Sequence, residues 1–278
     1  MTSNDYRRLT PEEIRQDTLA RIEKLRPLDD TLIRQLLRDD IELTQLILRI
    51  ITNIDDLTVT SYETQFDMHR LVGARSLCLD AKATDSQGRI YNLEVEKHDE
   101  RATPKRARYH SSAMDVEYLG AGEKFETLPI KYVIFMTEND VFQANEPIYI
   151  IERQNKTIDQ PFGDGEHIIF VNCAYESDSY DTDLLKLIHD FRCNKADDML
   201  IGRLADKTKQ CKEINKGADS MCKIIEEGER KAAMRNSGEI AMNMLADGEL
   251  SHEKISKLTG VPLEVVEEFA KEMKSVSK

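Results

Sequence analysis

Apolar residues at the start of the chain recur at helical spacing. Residues 11 to 25 and 29 to 53 carry the pattern, the second through Leu32, Leu36, Leu43, Leu46, Ile47 and Ile50, which predicts helices able to cover a sheet. From residue 77 the period changes to two. Residues 77 to 84 and 89 to 96 alternate on either side of Asp85-Ser86-Gln87-Gly88, a turn sequence with Gly placed for a left-handed conformation. Further strands are expected at 131 to 137, 147 to 153 and 167 to 172, with helices near 102 to 119 and 183 to 192. Pro104 suits the first turn of the former. This is the order of a mixed α/β domain, a central sheet flanked by helices.

The alternation places three acids together. If Ser86, Gln87 and Gly88 form a three-residue loop ending in a left-handed Gly, Asp80 faces Glu94 and Cys78 faces Glu96, all on one side of the hairpin. A two-residue loop would instead put Asp80 and Glu94 on opposite faces. In the first register Leu79, Ala81, Ala83, Tyr91, Leu93 and Val95 make an apolar face fit to bury against helices. Opposed carboxylates lie roughly 4.5–5.5 Å apart at Cβ and repel, unless a cation such as Mg²⁺ sits between them. The plain alternative is a solvated polar face.

The composition limits what the acids can mean. A chain of 278 residues with 40% hydrophobic content supports one substantial domain plus a small appendage. Its formal charge of −13, with 33% charged residues, speaks against general nucleic-acid affinity, so any DNA binding requires a local basic patch or a metal. No apolar stretch is long enough to span a bilayer, and the N-terminus has no apolar secretion segment. Five cysteines, an odd number without a C-x-x-C pair, point to a reducing cytoplasm and no structural zinc. The six histidines are scattered without metal spacing, and no phosphate-binding Gly loop or nucleophile elbow is present.

LDAKATDSQGRIYNLEVE, followed by RARYHSSAMD, LPIKYVIFMTENDVF, PIYIIER and HIIFVN, resembles the Rpn family of recombination-promoting nucleases and transposases, within the PD-(D/E)xK superfamily. The similarity runs from Pro27 through the Lys209 region. It implies a restriction-endonuclease-like fold and metal-dependent DNA cleavage serving recombination or a mobile element. Asp80 and Glu94 would be Mg²⁺ (or Mn²⁺) ligands, joined by the Val95 carbonyl. The superfamily places Lys, and this family commonly Gln, two residues after the glutamate, where this chain has Glu96. An anion cannot stabilise developing negative charge, so Glu96 would act as general base or hold a second metal. Lys82, diagonal to Glu94, is a candidate replacement for the missing cation, its plain role being to neutralise nearby acids. The family's first helix often adds another acid, here one of Asp29, Asp30, Asp39, Asp40 and Glu42.

The basic patch follows the hairpin. Arg101, Lys105, Arg106 and Arg108, with Tyr109, cluster just past Glu96, and Arg is suited to bidentate phosphate contacts. The bland alternative for Arg106 and Arg108 is pairing with nearby acids. His98 and His110 lie close enough in sequence to assist.

Four segments result: an N-terminal helical extension (1–26), a nuclease-like domain (27–208), a charged helical linker (209–236) and a small helical module (237–278). In the last, Gly248 and Gly260 break three short helices, Ser251 is an N-cap, and Ile255, Leu258, Val261 and Val266 are expected inside. The module has a helix-turn-helix pattern. Its final helix, with Glu264, Glu267, Glu268 and Glu272 beside Lys271, suits self-association or partner contact better than a DNA groove. The competing functional expectation is a nuclease-fold protein with weak or no catalysis that acts as a binding or regulatory module.

Overall fold

Two helices rather than one occupy residues 29 to 53. The computed structural model describes residues 11–68, 77–97, 102–212, 237–238, 240–248 and 250–276, leaving aside the side chains of residues 11, 14, 65–68, 77–80 and 271–276. After α1 (Pro11–Lys24), α2 (Asp30–Leu37) and α3 (Ile41–Thr52) are separated by Asp39, whose φ of 54° is left-handed. Asp40 then caps α3, its side chain accepting the Leu43 N–H at 2.9 Å. The break lets Leu32, Ile33, Leu36 and Leu37 of α2 and Leu43, Ile47, Leu48 and Ile51 of α3 bury from two differently directed helices.

The sheet begins with a strand that is not among those expected above. β1 (Val59–Met68) pairs antiparallel with β2 (Leu77–Asp85), and β2 pairs antiparallel with β3 (Ile90–Glu96). The helix α4 (Pro104–Tyr118) then carries the chain to β4 (Lys131–Thr137), parallel to β3, as a parallel pair requires. β5 (Ile148–Ile151) follows, then a separate ribbon of β6 (Gln154–Asn155) and β7 (Gln160–Pro161), then β8 (Glu166–Asn172) parallel to β4. The six-stranded order is β1-β2-β3-β4-β8-β5, with β5 antiparallel at the edge. α5 (Asp183–Arg192) and α6 (Gly202–Lys212) complete the unit.

Helices cover both faces of the central strands. α2 and α3 lie against β1, α2 also against β2 and β3, and Tyr91, Leu93 and Val95 of β3 are buried together with Ala81 and Ala83. On the other face α4 packs on Ile90, Val133, Phe135 and Phe170 through Ala107, Ala113 and Met114. The result is a mixed α/β architecture, a mixed sheet flanked by helices. No helix among the described residues is long and apolar enough to cross a membrane.

The chain divides into two compact units, residues 1–221 and 222–278. α6 belongs to the first, and Lys212 Nζ near its end donates to the carbonyls of Glu23 (3.1 Å) and Leu25 (2.6 Å). In the second unit the helices His252–Thr259 and Leu263–Val276 meet at left-handed Gly260, and Ser251 accepts the Lys254 N–H. Ala241, Ile255, Val261 and Val266 form its core. Leu258, expected inside, is 59% exposed, and Ile255 is the residue of its short helix that joins the core.

Candidate functional site

The hairpin register is the one the three-residue loop predicts. Gly88 has φ of 77°, its N–H donates to Asp85 O at 3.0 Å, and the Asp85 N–H donates to Arg89 O at 3.1 Å. The ladder then sets Thr84 opposite Ile90, Ala83 opposite Tyr91, Lys82 opposite Asn92 and Ala81 opposite Leu93. One residue further, this register sets position 80 opposite Glu94. Asp80 lies in β2, and its side chain falls outside the described ones.

The turn is held by Asp85, itself buried. Its Oδ1 accepts from the Gln87 and Arg89 amides, both at 2.9 Å, and its Oδ2 from Arg89 Nε at 2.6 Å and Tyr91 Oη–H at 2.9 Å. Burial alone would raise this carboxyl, but the Arg89, Tyr91 and Gln87 hydrogen bonds outweigh it and hold the group below the usual range. Burial, then the Asp85 carboxylate, push Tyr91 upward.

The acidic face of β3 is covered. Glu94 is 1% exposed and Glu96 is buried too, because α4 lies over Asn92, Glu94 and Glu96. Thr103 caps this helix by accepting the Arg106 N–H at 3.2 Å, and Pro104 occupies its first turn. That start turns Arg106 and, one turn on, His110 toward the strand. Arg106 Nη1 donates to Glu96 Oε1, and its Nη2 lies 3.6 Å from Glu94 Oε2. Arg106 Nε donates to His110 Nε2 at 3.1 Å, and the guanidinium stands 6.0 Å from the Phe135 ring centroid. His110 Nδ1 lies 3.3 Å from the Asn92 amide and 3.7 Å from Glu94 Oε1, with His110 and Asn92 wholly buried.

Among the basic residues, Arg106 is thus a partly buried counter-ion to Glu94 and Glu96, the pairing given above as its plain alternative. Lys105, Arg108 and Tyr109 remain on the outer side of α4, and Arg101 falls outside the described residues. Lys82 sits opposite Asn92 in the ladder, with its ammonium 4.7 Å from the Tyr118 ring centroid near the end of α4. Val95 pairs with Met136 in the parallel ladder, and its side chain points to the face opposite Glu94. His98 lies outside the described residues.

The five N-terminal acids take separate places. Asp29 accepts from Lys97 Nζ at 2.5 Å, just beyond the end of β3. Nearby, Arg26 pairs with Glu138 at 2.6 Å, and the Glu138 N–H donates to Glu96 O at 3.0 Å. Asp40 takes Arg203 (2.7 Å) and Lys207 (3.4 Å) from α6, and Glu42 also takes Arg203 (2.6 Å). Asp30 pairs with Arg34 at 2.7 Å, and Asp39 sits beside Arg38.

Arg106 takes the acid pairing that was its plain alternative, whereas Asn92 and the inward orientation of His110 were not apparent from spacing. An i, i+4 Arg/His pair beside a capped helix start is the signal that would have found them.

No family model, no curated protein and no solved structure matches this chain.

Proposed function

We propose that the protein is a metal-dependent DNA endonuclease of the PD-(D/E)xK type, acting on phosphodiester bonds in the service of recombination or a mobile element. The observation that supports the reading is the β2–β3 register through Ala81 and Leu93, which continued by one residue would bring position 80 across from Glu94, on the strand where Glu94 and Glu96 lie buried. The restriction-endonuclease-like fold and the Rpn resemblance belong to this proposal.

The donor set suits a hard divalent cation. Asp80, Glu94 and the Val95 carbonyl offer oxygen alone, the preference of Mg²⁺ or Mn²⁺. When bound, such an ion supplies a Lewis acid for the scissile phosphate and a water of lowered pKa. The chain's own groups do the rest. Glu96, fixed by Arg106 Nη1, is the carboxylate that takes the proton of the attacking water. Arg106 provides the positive charge that this chain lacks two residues after Glu94, now from α4. His110 fixes the guanidinium through Nε2 and faces Glu94 through Nδ1. Lys105, Arg108 and Tyr109 on the outside of α4 hold the DNA backbone beside the cut. Exposed Glu264, Glu267 and Glu268 leave the C-terminal helices to contact another copy or a partner protein.

One observation favours a second reading. Glu94 is 1% exposed and already lies beside Arg106 and His110, the arrangement of a nuclease fold retained for binding or regulation without turnover. Calorimetry with Mn²⁺ on the wild type and Asp80→Ala, followed by a supercoiled-plasmid assay, separates the two. Metal-dependent nicking lost in Asp80→Ala supports the nuclease. Binding without cleavage favours the second reading, and nicking that persists in clean Asp80→Ala preparations refutes the assignment.

A further inference from the structure

A second cluster of ligand-type side chains closes the end of α5, far in sequence from the β2–β3 hairpin. His189, Asp190 and Cys193 present one nitrogen, one carboxylate oxygen and one sulfur, all within 4.8 Å of one another. His189 and Cys193 are four residues apart and share a helix face, so the helical repeat itself brings the ring and the sulfur together. Cys193 is the C-cap residue, where the departing backbone lets its sulfur fold back over His189.

The spacing is that of ligands around one small ion. A tetrahedral centre with bonds of about 2.3 Å to sulfur and about 2.0–2.1 Å to nitrogen sets those two atoms about 3.6 Å apart. Cys193 Sγ and His189 Nδ1 are 3.6 Å apart. His189 Nδ1 and Asp190 Oδ1 are 2.9 Å apart, so a cation would open that edge by a few tenths of an ångström. Asp190 is wholly buried, and its two oxygens accept the amides of Leu200 and Ile201, each at 2.8 Å. Backbone donors behind a ligating carboxylate fix its orientation, the usual arrangement around protein-bound zinc. Tyr180 packs edge-on against His189, ring centroids 4.7 Å apart, which limits the swing of the imidazole.

We propose that His189, Asp190 and Cys193 bind a thiophilic divalent cation of the Zn²⁺ class, three protein ligands leaving one position to water. The mixed nitrogen, oxygen and sulfur set separates it from the all-oxygen site at the hairpin. Through Asp190 the ion would tie the end of α5 to the segment that begins α6. Burial, then the Asp190 and Asp198 carboxylates, hold the metal-free Cys193 thiol up at about 11, so ligation releases a proton, as for other cysteine ligands.

Full-length protein stripped with a chelator and titrated with Co²⁺ tests the site. The expected result is a single equivalent showing a thiolate-to-cobalt charge-transfer band and intense tetrahedral visible bands, displaced by Zn²⁺. Cys193→Ser should abolish the charge-transfer band, and His189→Ala should weaken Zn²⁺ binding roughly tenfold or more. Both variants are checked by circular dichroism, and Asp80→Ala should keep the band, which separates this site from the nuclease reading. No band in the wild type, or a band that persists in Cys193→Ser, would show an ordinary hydrogen-bonded helix end and overturn the proposal.

Discussion

His110 Nδ1 lies 3.7 Å from Glu94 Oε1, with both side chains out of solvent. A guanidinium only donates, so the bond from Arg106 Nε makes His110 Nε2 an acceptor. The neutral ring therefore carries its proton on Nδ1, turned toward Glu94, and the Asn92 Nδ2 that stands 3.3 Å from it is a second donor, not an acceptor for that proton. The imidazole is held through Arg106, with its Nδ1 within ion-pair range of Glu94 but beyond hydrogen-bond length.

Replacing His110 by Phe keeps much of the volume and removes both ring nitrogens. Under the nuclease proposal, Mn²⁺ affinity should fall roughly 10–100-fold, the usual cost of losing an orienting neighbour of a ligand. Calorimetry reads this directly. An unchanged affinity would leave His110 with a packing role against Phe135 alone, the ring centroids being 5.5 Å apart.

Asp85→Asn should destabilise the first unit by about 3 kcal/mol, because it strips a buried counter-charge from Arg89. The folded carboxyl titrates below its unfolded value of about 3.9, so its stabilisation is complete above that pH and is lost as pH falls through the folded pKa. Urea unfolding between neutral and acid pH should show a steeper loss for the wild type than for Asp85→Asn. Parallel curves would remove Asp85 from the acid response.

Charge reversal separates the outer from the inner cations of α4. Under the nuclease proposal, Lys105→Glu with Arg108→Glu should flatten the salt dependence of DNA binding by about two units of slope, nearly one for each phosphate no longer neutralised. Arg106→Gln should leave the slope unchanged while disturbing Glu96, since Arg106 faces inward. Fluorescence anisotropy over a salt series tests both. A slope that changes only for Arg106 would reverse the assignment.

In the C-terminal unit, Ile255→Ala should cost about 2–4 kcal/mol and Leu258→Ser less than about 0.5 kcal/mol. Thermal unfolding followed by circular dichroism ranks them. Equal losses would mean that Leu258 is covered in solution by another surface.

The hairpin was legible because its information is local. Gly88 supplies the left-handed residue, the loop length follows, and the period of two then assigns every side chain to a face. The split between α2 and α3 was not legible, since apolar spacing runs on through Arg38 and Asp39 and only the backbone at Asp39 turns. β1 does alternate in sequence, Tyr62, Thr64, Phe66 and Met68 against Ser61, Glu63, Gln65 and Asp67, but threonines at 60 and 64 thin its apolar half. The direction of Arg106 was hidden for another reason. α4 buries Ala107, His110, Ser111, Ala113 and Met114, a face too small and polar to reveal which side meets the sheet. The acids of β3 could therefore be read as neighbours but not as covered ones.

Arg203 reaches back 163 residues to Asp40, where Lys207 joins it on the carboxylate that caps α3. Nearly three quarters of the chain thus leaves the ribosome with this clasp unmade, and α3 acquires its two cations only when α6 emerges. Contacts of such sequence separation delay folding, since the intervening loop must close first. Truncating the chain before Gly202 should remove both cations from Asp40 and destabilise the first unit, even though every described strand is present.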